Sequence, residues 1–429
     1  MQARALLAVL LLLVAGCSAP TADTTVTTTS GPADTTDVPP DGPLAYEDAT
    51  IPYDGPRVLE RVERLRDLNA TGTIRVEEAM LRSGGERDIR DSALGIDPAG
   101  AVALGLKTNA SVPAGNVLGV TYSGPRVVLR ENVDAYPQEL VLAHELTHAL
   151  QYQHDFTAVQ IGTSGLLDTD RALAVRAVIE GDAQATAVAY RNRSLSNASL
   201  PVVPFGSVTR ERWQAAFSGA YYHYGYEYIR ERATTTAERN AVLRSPPNST
   251  RALLHPGVNA TKPAVADPPR TSDLTPVQYD TVGELGIRLA LRANGVQTED
   301  AASAAFGWRN DRMTYYDGPD APVHWRTAWQ NESEAGAFAA AWHGLLDSRN
   351  ATEKDGLLVV PATDTTPRFY TAIASEGETV TVVSGVNETS VRALVQASSS
   401  RNSSSSSSTA SSDTSDSASS SASLTLRSP

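Results

Sequence analysis

Residues 144–154 read HELTHALQYQH, and they hold three of the chain's seven histidines. His144 and His148 bracket Glu145 in the pattern His-Glu-x-x-His. On a helix, positions four apart lie on one face, one turn apart, so the two imidazoles can grip a single ion. Glu145 stands beside the first histidine, within reach of a water on that ion. Zinc lowers the pKa of such a water to about 7, and a neighbouring carboxylate can take the remaining proton. Leu142, Leu146, Ala149 and Leu150 fall on the opposite side of the helix wheel, where a core belongs. The stretch therefore predicts an amphipathic helix carrying a Zn2+ site, with His144 and His148 as ligands and Glu145 as the catalytic base.

Two residues compete for the third ligand. In the metzincin pattern a glycine three residues after the second histidine lets the chain leave the helix, and a third histidine follows three residues later. His154 has that last position, but Gln151 stands where the glycine belongs. Glutamine enters the left-handed conformation only at a cost, and a helix running through Gln151 carries His154 away along its axis. The methionine turn such sites require has only the distant Met313 to offer. The other candidate is Glu180, in TDRALAVRAVIEGDAQATAVAY, where Thr169-Asp170 suits a helix start. Gly181, Ala177, Ala183 and Ala187 surround it with small side chains, which allow the close helix approach a carboxylate ligand needs. Two histidines from one helix and a glutamate from the next is the gluzincin arrangement, and Glu180 is the preferred reading, with His154 the alternative.

The blocks HELTHALQYQH, VIEGDA, YYHYGYEYI, SPPNSTRALLHP and VGELGIRLAL resemble, in that order, a group of poorly characterised prokaryotic secreted proteins, with haloarchaeal surface proteins among them. The likeness spans much of residues 45–345. It implies a gluzincin-like zinc metalloprotease with Glu180, from the shared Glu-Gly-Asp-Ala block, as ligand. Tyr152 stands where the group often has aspartate, which removes that position as a ligand. A zinc hydrolase also needs a donor for the developing oxyanion. Tyr222, which with Gly225 matches the group's Tyr-x-x-Gly block, is the first candidate, followed by His255 and His223. Asp182 is a candidate acceptor for the far nitrogen of a ligand histidine.

Outward from the motif, the chain divides by composition. Residues 1–16 have a single Arg4 before a short apolar run, the layout of a secretory signal. Leu13-Val14-Ala15-Gly16-Cys17 resembles a prokaryotic lipobox, and Cys17 is the only cysteine in 429 residues, so it is the expected lipidation site and no internal disulfide exists. Residues 17–43 form a Thr/Pro-rich tether and 397–429 a Ser-rich tail. Ten Asn-x-Ser/Thr sequons, Asn69, Asn109, Asn197, Asn248 and Asn387 among them, are compatible with a glycosylated surface.

The expected fold is α+β. A mainly helical, zincin-like catalytic domain over residues 44–355 would carry a small antiparallel sheet, including a strand pair within 116–132 and a helix over 57–68. A separate small strand-rich element would follow at 356–396, from the runs GLLVV, RFYTAIA, TVTVVSG and VRALVQ. A net charge of −13, with three lysines among 36 basic residues, excludes nucleic acid as a natural partner and suits a halophilic, extracellular surface. The sequence thus describes a lipid-anchored metallopeptidase acting on proteins or peptides at the outer face of the cell membrane. A non-catalytic surface protein retaining the zinc site is the alternative, and hydrolysis of a non-peptide amide or ester a third reading.

Overall fold

The computed structural model describes residues 42–408, apart from 48, 82–95, 97, 108–117, 134, 163–166, 196–207, 259–260 and 319. The signal segment, Cys17, nearly all of the tether, Asn109, Asn197 and the tail beyond 408 lie outside the described residues.

Strands β1 (Leu44–Glu47), β2 (Ile74–Ala79), β3 (Gly119–Tyr122) and β4 (Arg126–Arg130) form one sheet in the order β1-β2-β4-β3. Ile74, Val76, Val127 and Leu129 alternate into the core with 0% exposure, the period of two that buries one face. The pair β3–β4 is antiparallel, as its turn sequence suggests, but β1, β2 and β4 run parallel. The sheet is mixed rather than purely antiparallel because helix α1 (Gly55–Arg66) supplies the crossover from β1 to β2. Asp54 caps α1, its side chain accepting from Arg57 N, and Asp67 ends the helix in the left-handed conformation.

The helical part follows: α2 (Pro98–Ala103), α3 (Ala135–Gln153), α4 (Thr157–Gly162), α5 (Thr169–Ser194), α6 (Trp213–Arg232), α7 (Thr236–Arg244) and α8 (Thr250–Leu254). Next come β5 (Pro276–Asp280), α9 (Gly283–Ala293), α10 (Thr298–Ala305), β6 (Trp308–Tyr316), β7 (Val323–Trp329) and α11 (Glu332–Asp347). The chain continues through β8 (Thr352–Lys354), β9 (Leu357–Val360), β10 (Phe369–Glu376), β11 (Thr379–Gly385) and α12 (Glu388–Ser408).

The strands after 356 are not a separate element. Strand β11 pairs with β7, so β9, β10 and β11 complete a seven-stranded antiparallel sheet in the order β5-β6-β7-β11-β10-β9-β8. Phe338 and Trp342 of α11 pack on Trp325 and Trp329 of β7, and this aromatic layer is continuous with the core under the first sheet. VRALVQ is helical, not a strand: Val391 and Leu394, three apart, are both buried on one face of α12. The same helix runs past residue 397 into the serine run assigned to a tail. There Ser398, Ser399 and Ser400 turn their hydroxyls back onto the carbonyls of Leu394, Val395 and Gln396 at 2.7, 3.0 and 2.9 Å.

Two buried aspartates tie the second sheet to the helices. Asp280, at the end of β5, accepts from the backbone N–H and hydroxyl of Thr169, at the start of α5. Asp311 of β6 accepts from the N–H groups of Val282 and Gly283, which open α9, and from the indoles of Trp308 and Trp325. Both satisfy backbone donors that a helix start leaves without intrahelical partners.

Candidate metal centre

Helix α3 does not stop at Gln151. It continues to Gln153, and the chain turns out of the helix through Asp155, at φ 48°. His154 is thereby carried to the rim, where its Nε2 donates to the carbonyl of Asn69 at 2.9 Å and its ring stacks on Phe156. His144 and His148 project inward from the preceding turns toward α5, and their Nε2 atoms stand 3.0 Å apart. Glu180 Oε2 lies 3.2 Å from each of them. All three residues are buried, and their ligand atoms all lie within 4.8 Å of one another.

This donor set fits a cation. Tetrahedral zinc holds its ligands at about 2.0–2.1 Å, which sets neighbouring ligand atoms about 3.3 Å apart, close to the observed spacings. Burial alone would raise the pKa of Glu180, but the two imidazoles outweigh it and hold the carboxyl at about 2. A carboxylate and two imidazole nitrogens converging on one point are a donor set of the kind zinc takes. His144, His148 and Glu180 could therefore hold a metal ion.

Glu145 lies beside this set and is fully buried. Thr121 of β3 donates its hydroxyl to Glu145 Oε2 at 2.7 Å, while Oε1 is buried without a hydrogen-bond partner among the described residues. Gly119 on the same strand leaves the room: a Cβ there would meet Val141 Cγ1 at 2.6 Å and Glu145 Oε1 at 3.0 Å. Burial pushes the Glu145 carboxyl up, against the opposing pull of His144, His148 and Thr121.

Helix packing explains how Glu180 and Tyr222 arrive. A Cβ on Gly181 would run into the backbone of Gly225, and a Cβ on Gly225 into the carbonyl of Ala177. Helices α5 and α6 therefore meet backbone to backbone one residue from Glu180. Tyr222, one turn before Gly225, is buried with its ring 6.1 Å from that of His144.

Among the described residues, the other sequence candidates are not in the set of possible metal ligands. His223 is half-buried against Tyr224, and burial lowers its pKa. His255 points Nε2 at Glu284 Oε1, 2.7 Å away, in a cluster with Arg251 and Arg288 under the ring of Phe306. Asp182 does not touch a histidine. It accepts instead from Gln151 Nε2 at 2.8 Å, and Gln151 Oε1 lies 2.8 Å from His148 Nδ1. In the sequence, Gln151 marks only the continuation of the helix. Its position three residues after His148, on the same helix face, was the signal for its contact with the ring. Thr121, Arg66 and Arg239 were missed altogether, and nothing local to those residues marks them.

A family model described as a domain of unknown function (DUF8575) matches residues 270–395. That span begins just before β5, includes Asp280, Glu284 and Asp311, and contains none of the triad. No curated protein and no solved structure matches the chain. Among the described residues, no helix is long and apolar enough to cross a membrane.

Proposed function

We propose that this chain is a zinc-dependent metallopeptidase of the gluzincin type, with His144, His148 and Glu180 as ligands and Glu145 as the base. The observation that carries the reading is the orphaned Oε1 of Glu145, buried beside three converging ligand atoms. When bound, zinc activates a water and polarises a carbonyl as a Lewis acid. Glu145 Oε1 receives a proton from the attacking water, while Thr121 holds Oε2 and fixes the carboxyl plane. The same carboxyl, raised by burial, then returns the proton to the departing amine. Tyr222 is the proposed donor to the developing oxyanion. Strand β3, one of the two outer strands of its sheet among the described residues, offers an edge to which an extended peptide can add beside Glu145.

Lipid attachment at Cys17 would hold the enzyme at the outer face of the membrane; Cys17→Ser should then release it into the medium. The second reading, a surface protein that keeps zinc without turnover, draws on the near-complete burial of the ligands, of which His144 is the most exposed at 6%. Metal analysis and one variant separate the two. The enzyme should contain one zinc per chain, and Glu145→Gln should keep that zinc and lose peptide hydrolysis by about 10²-fold or more. Protein without stoichiometric zinc sinks the metal reading, and full activity in Glu145→Gln removes Glu145 as base.

A further inference from the structure

The two ligand histidines each have a second ring nitrogen, and at His148 the surroundings of that nitrogen define its chemistry. Gln151 is 1% exposed. Its Nε2 faces the carbonyl of Ile179 at 3.1 Å and Asp182 Oδ2 at 2.8 Å. Both are acceptors, so the amide can be oriented only one way, with Oε1 toward His148. An amide oxygen cannot donate, so the proton in the 2.8 Å contact belongs to His148 Nδ1. In a neutral ring the lone pair is then on Nε2, the atom that faces Glu180.

Asp182 is itself held from three sides. Arg66, at the end of α1, donates Nε to Oδ2 at 3.0 Å and Nη2 to Asn240 Oδ1 at 2.8 Å. Arg239 of α7 donates Nε to Oδ1, and Nη2 to the Asp182 carbonyl and Thr186 Oγ1, each at 2.6 Å. Asp182 is fully buried, Arg66 is equally sealed, and Arg239 is 8% exposed. A carboxylate with two guanidiniums has no rotational freedom left.

We propose that Gln151 and Asp182, clamped by Arg66 and Arg239, are positioning residues that lock His148 in the tautomer and ring orientation required of a metal ligand. The relay replaces a direct carboxylate contact to the imidazole with a neutral amide that reports the carboxylate's position. It draws α1, α5 and α7 into the geometry of one ligand on α3. It rests on the zinc reading above. A cluster that only staples the fold would protect stability and leave zinc affinity alone, so affinity is the discriminating measurement.

The test uses the whole chain, zinc, a competing chromophoric chelator, and nitrogen-15 NMR of the histidine side chains. In zinc-loaded wild type, His148 should carry a slowly exchanging proton on Nδ1. Gln151→Leu should weaken zinc binding by about 10- to 100-fold, with a smaller proportional change in the melting of the metal-free protein. If Gln151→Leu does not fold, Arg239→Lys, which keeps a charge on Asp182 but not the fork, should still weaken zinc binding measurably. A folded Gln151→Leu that binds zinc within twofold of wild type, or a wild-type His148 with no proton on Nδ1, overturns the proposal alone. A wild-type protein that takes up no zinc overturns the metal reading, and this proposal with it.

Discussion

The triad and the Glu284 cluster share one pairing, a buried glutamate facing a histidine. In each, a buried glutamate has a histidine Nε2 at hydrogen-bond distance, 3.2 Å for Glu180 and 2.7 Å for Glu284. The difference is the guanidiniums. Arg251 and Arg288 both reach Glu284, so its charge is already matched inside the protein. Among the described residues, the hydrogen-bond partners of Glu180 are His144 and His148. One cluster pairs its carboxylate with arginines, and the other sets its carboxylate among side chains that could hold a metal ion. Asp280 is a third case, a buried carboxylate with hydrogen-bond donors but, among the described residues, no ion-pair partner, and burial drives its pKa up to about 7.

The comparison can be broken first at Glu284. Glu284→Ala leaves the buried Arg251 and the partly buried Arg288 without their anion and should cost about 3–5 kcal/mol of stability. Denaturant titration should find that loss equally with zinc or with chelator. Glu180→Ala should do the reverse, abolishing zinc uptake while leaving the chelator-treated protein close to wild-type stability. A large zinc-independent loss from Glu180→Ala would erase the distinction between the two sites.

Zinc itself gives the next effect. Free zinc at about 100 times its dissociation constant should stabilise the wild type by about 2.7 kcal/mol. Glu180→Ala should show none of this shift.

The smallest effect belongs to the two aspartates that tie the second sheet to the helices. Burial raises Asp280 to about 7 and Asp311 to about 6. A raised carboxyl binds its proton more tightly when folded than when unfolded. Its contribution is therefore fully present below the ordinary carboxylate range, and is lost as pH rises to the folded value. Stability should decline between about pH 4 and pH 7 and then level off. Asp280→Asn, measured by thermal melting across that window, should flatten the decline; an unchanged slope would assign it elsewhere.

What could be read in advance was the local part of the site. Spacing on one helix gives His144, Glu145 and His148, and Gln151 in place of glycine argues for the longer helix that α3 is. Small residues around Glu180 indicate a close helix crossing without identifying the partner, because Gly225 is 44 positions from Gly181. The same barrier of sequence distance hid Arg66 and Arg239, since an arginine near a helix end reads as solvated surface until the fold brings a buried carboxylate to it. His255 misled for a related reason: a histidine before proline has no local mark that distinguishes a substrate contact from a bond to Glu284. The second sheet was only half seen, because nothing in TVTVVSG reveals that its partner is VHWRTAW, more than 50 residues earlier. The register of a sheet is a pairing between distant segments, and each segment alone supplies only a propensity.

The crossing of α5 and α6 has a consequence for how this protein can change over generations. Gly181 and Gly225 form a lock with no tolerance, since even the smallest side chain at either position collides with main chain. A substitution at one cannot be relieved by trimming the other, which has no side chain to lose. The two positions should therefore be frozen together, and the gap between Tyr222 and His144 is inherited through them rather than tuned by the residues that line it.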